Sequence, residues 1–255
     1  MCLVIVLLPL IGSIFAGLFG RYVGRMGSVL ISILCMVITT NIALYQFYNI
    51  CLVNDSFFIL LGSWIQSSLL VVNWGFMFDS LSLSMLSMIS IVSTVVHIYA
   101  SSYMKSDPHL SRFMSYLSLF TFFMFILVTS DNFIQLFLGW EGVGVCSYLL
   151  INFWFTRVQA NKSAIKALIM NRVGDFGLLI GILLIFYFFN SLDFSFIFSL
   201  IPYFVGINFQ FLSIEYSALF LISLFLFIGS MGKSAQMGLH CWLPDAMEGE
   251  GSLEY

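Results

Sequence analysis

The chain alternates between long apolar segments and short polar ones. Seven apolar segments are close to or above the roughly 20 residues that a helix needs to cross a bilayer. They lie at residues 2–20, 27–50, 78–103, 112–130, 132–154, 162–190 and 216–241. Gly229, Gly232 and Gly238 interrupt the last segment, so we expect it to be the least regular. The pattern predicts an all-α, polytopic membrane protein with about seven transmembrane helices.

The basic residues between these spans indicate an orientation. They fall in alternate loops, at Arg21, Arg25, Lys105, Arg112, Arg157 and Lys162. The remaining loops, near 51–77, 131 and 191–215, contain no Lys or Arg and instead carry Asp55, Asp131, Asp193 and Glu215. Because basic loops stay on the inner side of a membrane, this alternation predicts an outer N-terminus and an inner C-terminus.

Composition excludes several classes of protein. Of the 255 residues, 61% are hydrophobic and only 8% are charged, whereas a soluble domain carries about 25% charged residues. The net charge of -3, without a basic run, argues against nucleic acid as a partner. The five cysteines lack C-x-x-C spacing and the three histidines are scattered, so we expect no metal site or iron–sulfur cluster. The N-terminus runs directly into an apolar stretch, without the features of a cleavable targeting segment.

Several small residues inside the spans predict close helix packing. Gly12, Ala16 and Gly20 are spaced by four, as in small-residue contacts between membrane helices. The Gly139, Gly142 and Gly144 cluster superficially resembles a nucleotide-binding loop. It lies within a span and follows no strand, so packing is the favoured interpretation.

Four ionisable residues lie deep inside predicted spans. Glu141 is in the fifth span, Arg172 and Asp175 are in the sixth, and Lys233 is in the seventh. Each charge at the centre of a helix costs ~2.5–3.5 kcal/mol, so four unpaired charges would cost roughly 10 kcal/mol. These side chains must therefore face one another or a hydrated cavity. Arg172 and Asp175, at i and i+3, can neutralise each other.

Helical spacing groups these charges with other polar residues. Three stripes are predicted: Glu141 with Tyr148 and Asn152, Lys233 with Gln236 and His240, and Asp79 with Ser90, Ser93 and His97. The charges either tie helices together or carry ions. A breakable, Gly-rich helix beside a buried charge is typical of transport sites, which favours transport for Glu141 and Lys233. For Arg172 with Asp175, and for His97, both packing and proton relay remain open.

Three segments carry a specific family resemblance. They are GWEGVGVCSYLL (139–150), NRVGDFG (171–177) and GKSAQMGLHCWLPDAMEG (232–249), with support from SSYMKSDPH (101–109) and RFMSYLSLFTFFMFILVTSDN (112–132). Together they resemble the family of NADH dehydrogenase subunit 5, the largest antiporter-like subunit of respiratory complex I, in its mitochondrial form. The resemblance extends over essentially the whole chain up to Gly249.

The resemblance implies a fold and a set of roles. The family fold has two inverted five-helix bundles, each with one broken helix, so this chain would hold flanking helices at 1–111, an incomplete first bundle at 112–249 and a polar tail at 250–255. Glu141, Asp175 and the broken-helix Lys233 match residues that the family uses to move protons. Arg172, His240 and His97 are further candidates for the proton pathway. The family binds no NADH, flavin, iron–sulfur cluster or quinone in this subunit, which implies no cofactor and no catalytic residue here.

The resemblance also implies partners and a location. The family continues after Gly249 with an eighth helix, whereas this sequence reads Glu250 to Tyr255 and stops. We therefore expect a separate polypeptide carrying the rest of the subunit, from a split gene or, as a second explanation, an abbreviated product. Other partners would be the remaining membrane-arm subunits and lipid. The location would be the mitochondrial inner membrane, with the N-terminus on the intermembrane side and the C-terminus in the matrix.

Three functions are compatible with these sequence features. The first is a proton-translocating subunit of NADH:ubiquinone oxidoreductase, in which NADH oxidation and quinone reduction occur elsewhere. The second is a subunit of a multisubunit sodium/proton antiporter, and the third is a truncated scaffold without transport. The mitochondrial-type loops favour the first over the second. The presence of Glu141, Asp175 and Lys233 argues against a scaffold, because such charges burden a membrane protein without transport.

Overall fold

A computed structural model describes residues 2–53, 56–67, 69–211 and 214–251, and these ranges are mainly helical. Their helices are α1 Cys2–Gly17, α2 Gly20–Val53, α3 Ser80–Tyr103, α4 Leu110–Thr129, α5 Phe133–Ile151, α6 Val158–Phe189, α7 Phe194–Phe204, α8 Ala218–Lys233 and α9 Trp242–Gly251. Their strands are β1 Phe57–Gln66, β2 Val71–Phe78, β3 Asn208–Phe211 and β4 Ile214–Ser217.

Five of these helices, α2 to α6, are long and apolar enough to span a membrane. They correspond to the spans predicted at 27–50, 78–103, 112–130, 132–154 and 162–190. The first and seventh predicted spans correspond to α1 and α8, which are apolar helices of 16 residues each. The prediction of an all-α, polytopic membrane protein is confirmed.

The seventh predicted span is not one continuous helix. Helix α8 ends at Lys233, and helix α9 begins only at Trp242. Ala235 and Gly238 between them have positive φ angles of 48° and 102°, which a right-handed helix cannot accommodate. The break that the glycines suggested is therefore present. The polar stripe predicted for Lys233, Gln236 and His240 is wrong, because only Lys233 belongs to a helix.

The stripe predicted for Asp79, Ser90, Ser93 and His97 also lies only partly on a helix. Asp79 precedes α3 and caps it: its carboxylate accepts a hydrogen bond of 2.7 Å from the Ser82 amide. The Ser82 hydroxyl in turn accepts one of 2.8 Å from the Asp79 amide. This reciprocal capping box satisfies two backbone donors that the first turn leaves unpaired. Asp79 thus starts the helix, whereas Ser90, Ser93 and His97 are buried along it.

Two apolar stretches form hairpins that the sequence analysis assigned to loops. Strands β1 and β2 pair as a two-stranded sheet, and β3 and β4 pair antiparallel with Phe209 opposite Tyr216. Helix α7 lies between α6 and β3. Helix α7 has 11 residues, fewer than the roughly 20 that a transmembrane helix needs. Pairing gives the backbone amides and carbonyls of the strands partners.

The chain divides into two compact units. The first comprises Met1–Leu60, Gly75–Ser130 and Leu138–Leu150, and the second comprises Leu61–Trp74, Asp131–Phe137 and Ile151–Tyr255. The division predicted from the family resemblance, at residues 111 and 249, stays a prediction.

Small residues pack the helices of the first unit, as the sequence predicted. A Cβ atom at Gly12 would contact Cys35 of α2 at 3.4 Å, and Ala16 is fully buried. At Gly20, a Cβ atom would approach Ser111 of α4 to 3.2 Å. The Ser115 hydroxyl donates a hydrogen bond of 2.8 Å to the Ser13 carbonyl, which links α4 to α1.

Candidate functional site

The strongest candidate site is the end of α8. Lys233 is the last residue of this helix and is half-buried. The final carbonyl groups of a helix have no partners in the next turn and give this end a partial negative charge, which favours a cation there. The Trp242 indole of α9 donates a hydrogen bond of 3.3 Å to one of these carbonyls, that of Gly232. The interruption between α8 and α9 therefore leaves a lysine at a polar helix end.

Glycines bring α6 and α8 into backbone contact at this position. A Cβ atom at Gly174 would lie only 2.9 Å from the Cα atom of Gly232. One turn earlier on α8, a Cβ atom at Gly229 would lie 2.8 Å from the Cβ of Leu178. Membrane helices approach this closely only where side chains are absent or small.

The same crossing positions two of the predicted charges. Asp175 follows Gly174 on α6, and Lys233 follows Gly232 on α8. Asp175 is buried, with 6% of its surface exposed, although it is an acidic residue inside an apolar helix. Asp175 and Lys233 therefore each adjoin a glycine of the close contact between α6 and α8. No sequence pattern alone related these two helices.

Arg172 differs from Asp175 in its environment. The Arg172 side chain is exposed, whereas Asn171 and Asp175 of the same helix are buried. Direct pairing of Arg172 with Asp175 stays a prediction.

Glu141 lies on α5 in the first unit. Gly139 and Gly142 pack this helix against α4: a Cβ atom at Gly139 would lie 2.7 Å from the backbone nitrogen of Leu127, and one at Gly142 would overlap the ring of Phe123. This confirms packing as the role of these two glycines. Glu141 is half-buried and lies about 130° around the helix from the glycine face, given ~100° per residue. The close contact with α4 thus turns the Glu141 side chain away from α4.

His97 is fully buried between α3 and α4. Its Nδ1 donates to the Ser93 carbonyl at 2.7 Å, because a carbonyl can only accept, and its Nε2 lies 3.2 Å from the Ser118 hydroxyl. The ring also contributes to a cavity of about 330 Å³ whose wall is mainly apolar. Partners on both nitrogens fit a packing role, and a relay role stays a prediction.

His240 is exposed in the segment that connects α8 to α9. Backbone hydrogen bonds link this segment to α8 at one end and to α9 at the other. The Gln236 amide donates to the Met231 carbonyl at 3.2 Å, and the Leu243 amide donates to the His240 carbonyl at 3.2 Å. Helix α9 is in turn linked to α6 by a salt bridge of 2.5 Å between Lys166 and Asp245. No local pattern indicates this pair, because 79 residues separate its members.

A second arrangement missed by the sequence analysis joins two polar segments. Asn132, just before α5, forms an antiparallel bridge with Asp193, just before α7. The Phe133 amide donates to the Leu192 carbonyl at 3.1 Å, and the Phe194 amide donates to the Asp131 carbonyl at 3.2 Å. The only signal in the sequence was that both segments carry an aspartate and neither carries a cation.

Comparison with protein families gives two matches. Residues 130–252 match a family model described as "NADH:quinone oxidoreductase/Mrp antiporter, TM". Residues 64–114 match one described as "NADH-Ubiquinone oxidoreductase (complex I), chain 5 N-terminus".

Similar curated proteins carry the name NADH-ubiquinone oxidoreductase chain 5. The protein of Chondrus crispus is 59% identical over 249 residues, which are 98% of this chain and 37% of the relative. The proteins of Dictyostelium discoideum and Marchantia polymorpha are 55% and 53% identical, with 98% of this chain matched in each case. The chain spans only 37% and 38% of the lengths of these two relatives.

Two solved structures have a similar fold. The Mrp complex from Dietzia sp. DQ12-45-1b matches with a TM-score of 0.74 and 22% identity, over 96% of this chain and 25% of the matched chain. The membrane-bound sulfane sulfur reductase, an archaeal respiratory membrane complex, matches with a TM-score of 0.75 and 16% identity, over 95% and 46%.

Proposed function

We propose that this chain, which matches the N-terminal portion of NADH-ubiquinone oxidoreductase chain 5, translocates protons as a membrane-arm subunit of complex I. The observation that carries the proposal is the broken helix at Lys233, with Asp175 beside it at the glycine contact between α6 and α8. A discontinuous helix with an ionisable group at its end is a recurring arrangement in ion transport.

The residues at the break have distinct tasks in this proposal. Lys233 holds and releases a proton, because an amine can exist in both forms, and a nearby carboxylate favours its charged form. Asp175 supplies a carboxylate next to the same helix crossing. Glu141 acts as a separate protonatable group on α5. Arg172, His240 and His97 are additional members of the proposed pathway.

The energy for transport comes from elsewhere in the proposed complex. In this proposal, NADH oxidation and quinone reduction take place in other subunits, and the chain contributes to proton movement alone. We place it in the mitochondrial inner membrane with the N-terminus on the intermembrane side. The basic residues in alternate loops support this orientation, because positively charged loops remain on the inner side.

Glu141 provides the test of this function. In the assembled complex in liposomes, Glu141→Gln should lower NADH-driven proton transport several-fold, because glutamine keeps the size of glutamate but cannot carry the charge or the proton. Glu141→Asp should have a milder effect, because it keeps the carboxylate. Proton uptake and NADH:quinone turnover would be measured together. Wild-type transport in both variants would favour a structural role for Glu141.

Glu215→Gln is the matched control for this substitution. Glu215 is exposed in β4, outside the spanning helices, and its substitution removes the same charge. Transport in this variant should equal that of the wild type. A loss equal to that of Glu141→Gln would mean that net charge, rather than position on α5, explains the result.

We further propose that helices resembling the rest of chain 5 pack against the break between α8 and α9, carried by a separate polypeptide beside other membrane-arm subunits and lipid. The Met237 side chain supports this, because 90% of its surface is exposed. Polar backbone around a helix break needs protein or water contacts within a membrane, since lipid tails offer no hydrogen bonds.

A photoreactive residue at Met237 should therefore form a crosslink to a membrane polypeptide similar to the remainder of chain 5. The adduct would be identified by mass spectrometry of the native membrane complex. A photoreactive residue at Tyr187, which is exposed on α6 away from the break, serves as the comparison. Crosslinks from Met237 to lipid alone would contradict the proposed partner.

A further inference from the structure

Helix α6 extends past the interruption between α8 and α9 and packs against both of these helices. It is continuous over 32 residues, whereas α8 and α9 are separated by residues 234–241. Gly174 of α6 lies against Gly232 of α8. Further along α6, Lys166 forms its salt bridge with Asp245 of α9. Since each helical residue adds ~1.5 Å, these two contacts lie roughly 12 Å apart along α6, and one helix supports both halves of the broken segment.

Lys166 lies on the face of α6 that packs against these helices. At ~100° per residue, it is about 20° around α6 from Gly177. A Cβ atom at Gly177 would lie 2.6 Å from the side chain of Ile228 of α8. The lysine therefore continues the contact face of α6 beyond the end of α8, where α9 becomes the neighbouring helix.

The salt bridge is connected to the end of α8 through α9. Asp245 lies in the first turn of α9, which begins at Trp242. The Trp242 indole donates its hydrogen bond of 3.3 Å to the Gly232 carbonyl, and Gly232 immediately precedes Lys233. Because backbone hydrogen bonds join the turns of a helix, α9 moves as a unit. The contact that fixes Asp245 therefore also places the indole at the end of α8.

The Lys166–Asp245 pair is better suited to orienting α9 than to stabilising the fold. Its two side chains are 44% and 39% exposed, and ion pairs between exposed groups contribute little to global stability. Asp245 has a second favourable interaction, because negative charge in the first turn complements the helix dipole. Loss of the lysine should therefore leave the helices folded and change the position of α9.

We propose that Lys166 is a positioning residue for proton transport. Its salt bridge holds α9 against α6 and keeps the Trp242 indole on the Gly232 carbonyl. Without the salt bridge, α9 moves away from α6 and this carbonyl loses its indole donor. The charge distribution around Lys233 then changes, because the carbonyls at a helix end carry partial negative charge. The inference rests on the transport function proposed above and adds a residue outside the predicted proton pathway.

Proton transport by the assembled complex in liposomes tests this role. Lys166→Ala should lower the number of protons taken up per NADH oxidised by roughly two-fold or more, the scale on which residues coupled to a distant site act. Lys166→Arg should transport normally, because a guanidinium also pairs with a carboxylate. Lys162→Ala is the matched control. It removes the same charge from an exposed position one turn earlier on α6 and should transport like the wild type.

A double variant tests the route through α9. Trp242→Phe removes the indole donor and keeps an aromatic ring. If Lys166 acts through this indole, Lys166→Ala combined with Trp242→Phe should lose no more transport than the more severe single variant. Losses that multiply in the double variant would show two independent effects and would refute the route.

Hydrogen–deuterium exchange of the same complexes provides a readout that does not depend on transport. Amides of α9 should exchange faster in Lys166→Ala than in the wild type or Lys162→Ala, whereas amides of α4 should be unchanged in all three. Unchanged exchange in α9 would refute the structural step. Faster exchange with normal transport would refute the positioning role alone. Normal transport in Lys233→Ala would instead overturn the proposed function and, with it, this role.

Discussion

Replacing Lys233 by alanine is expected to abolish proton transport through this chain while the complex still assembles. Lys233 is half-buried at the last turn of α8, beside the break and next to the glycine contact with α6. Alanine removes the amine that would hold the proton in the proposed function, and it does so without adding volume at the contact. Proton uptake into proteoliposomes, normalised to the amount of assembled complex, should fall towards background.

Lys233→Arg separates proton transfer from structural charge. The guanidinium group keeps a cation at the negative end of the α8 dipole but does not release its proton in proteins. We therefore expect this variant to assemble as well as the wild type and still fail to transport. Lys105→Ala, in the exposed turn after α3, is the matched control and should transport normally. Normal pumping stoichiometry in assembled Lys233→Ala or Lys233→Arg would refute the role assigned to this lysine.

Gly174→Ala is expected to destabilise the second unit. The added methyl group would lie 2.9 Å from the Cα atom of Gly232, and this is a backbone atom that no side-chain rotation can move. Overpacking of this kind costs about 1–3 kcal/mol. For a chain of this size, the melting temperature should fall by roughly 2–12 °C. The separation of α6 from α8 should also displace Asp175 and Lys233 and reduce transport.

Gly62→Ala is the control for this effect. A Cβ atom at Gly62 meets no atom within 4 Å, so the same chemical change adds no clash. The melting temperature of Gly62→Ala, measured in the detergent used for Gly174→Ala, should remain near that of the wild type. If Gly174→Ala melted at the wild-type temperature, α6 and α8 could separate without loss of stability. That result would contradict the backbone contact.

The helices were predictable where local signals were sufficient. Long apolar runs predicted α2 to α6, because only a helix satisfies its own backbone within a lipid-facing segment. The packing role of Gly139 and Gly142 also followed from their location inside such a run. The hairpins and α7 were missed, since short apolar segments can pair with one another or form a helix according to their neighbours. The continuous stripe on the seventh span failed because Ala235 and Gly238 adopt positive φ angles there.

The sequence by itself determined the class of protein, the positions of the five long helices α2 to α6 and the ionisable residues placed within them. These properties depend on hydropathy and on the fixed geometry of a helix, and both act along the chain. Only the tertiary structure decided that Gly174 meets Gly232, that α8 ends at Lys233, and that Asn132 forms a bridge with Asp193. Such contacts join residues far apart in sequence, and they depend on which helix faces pack together, a choice that burial and backbone hydrogen bonding make only when the whole unit has formed.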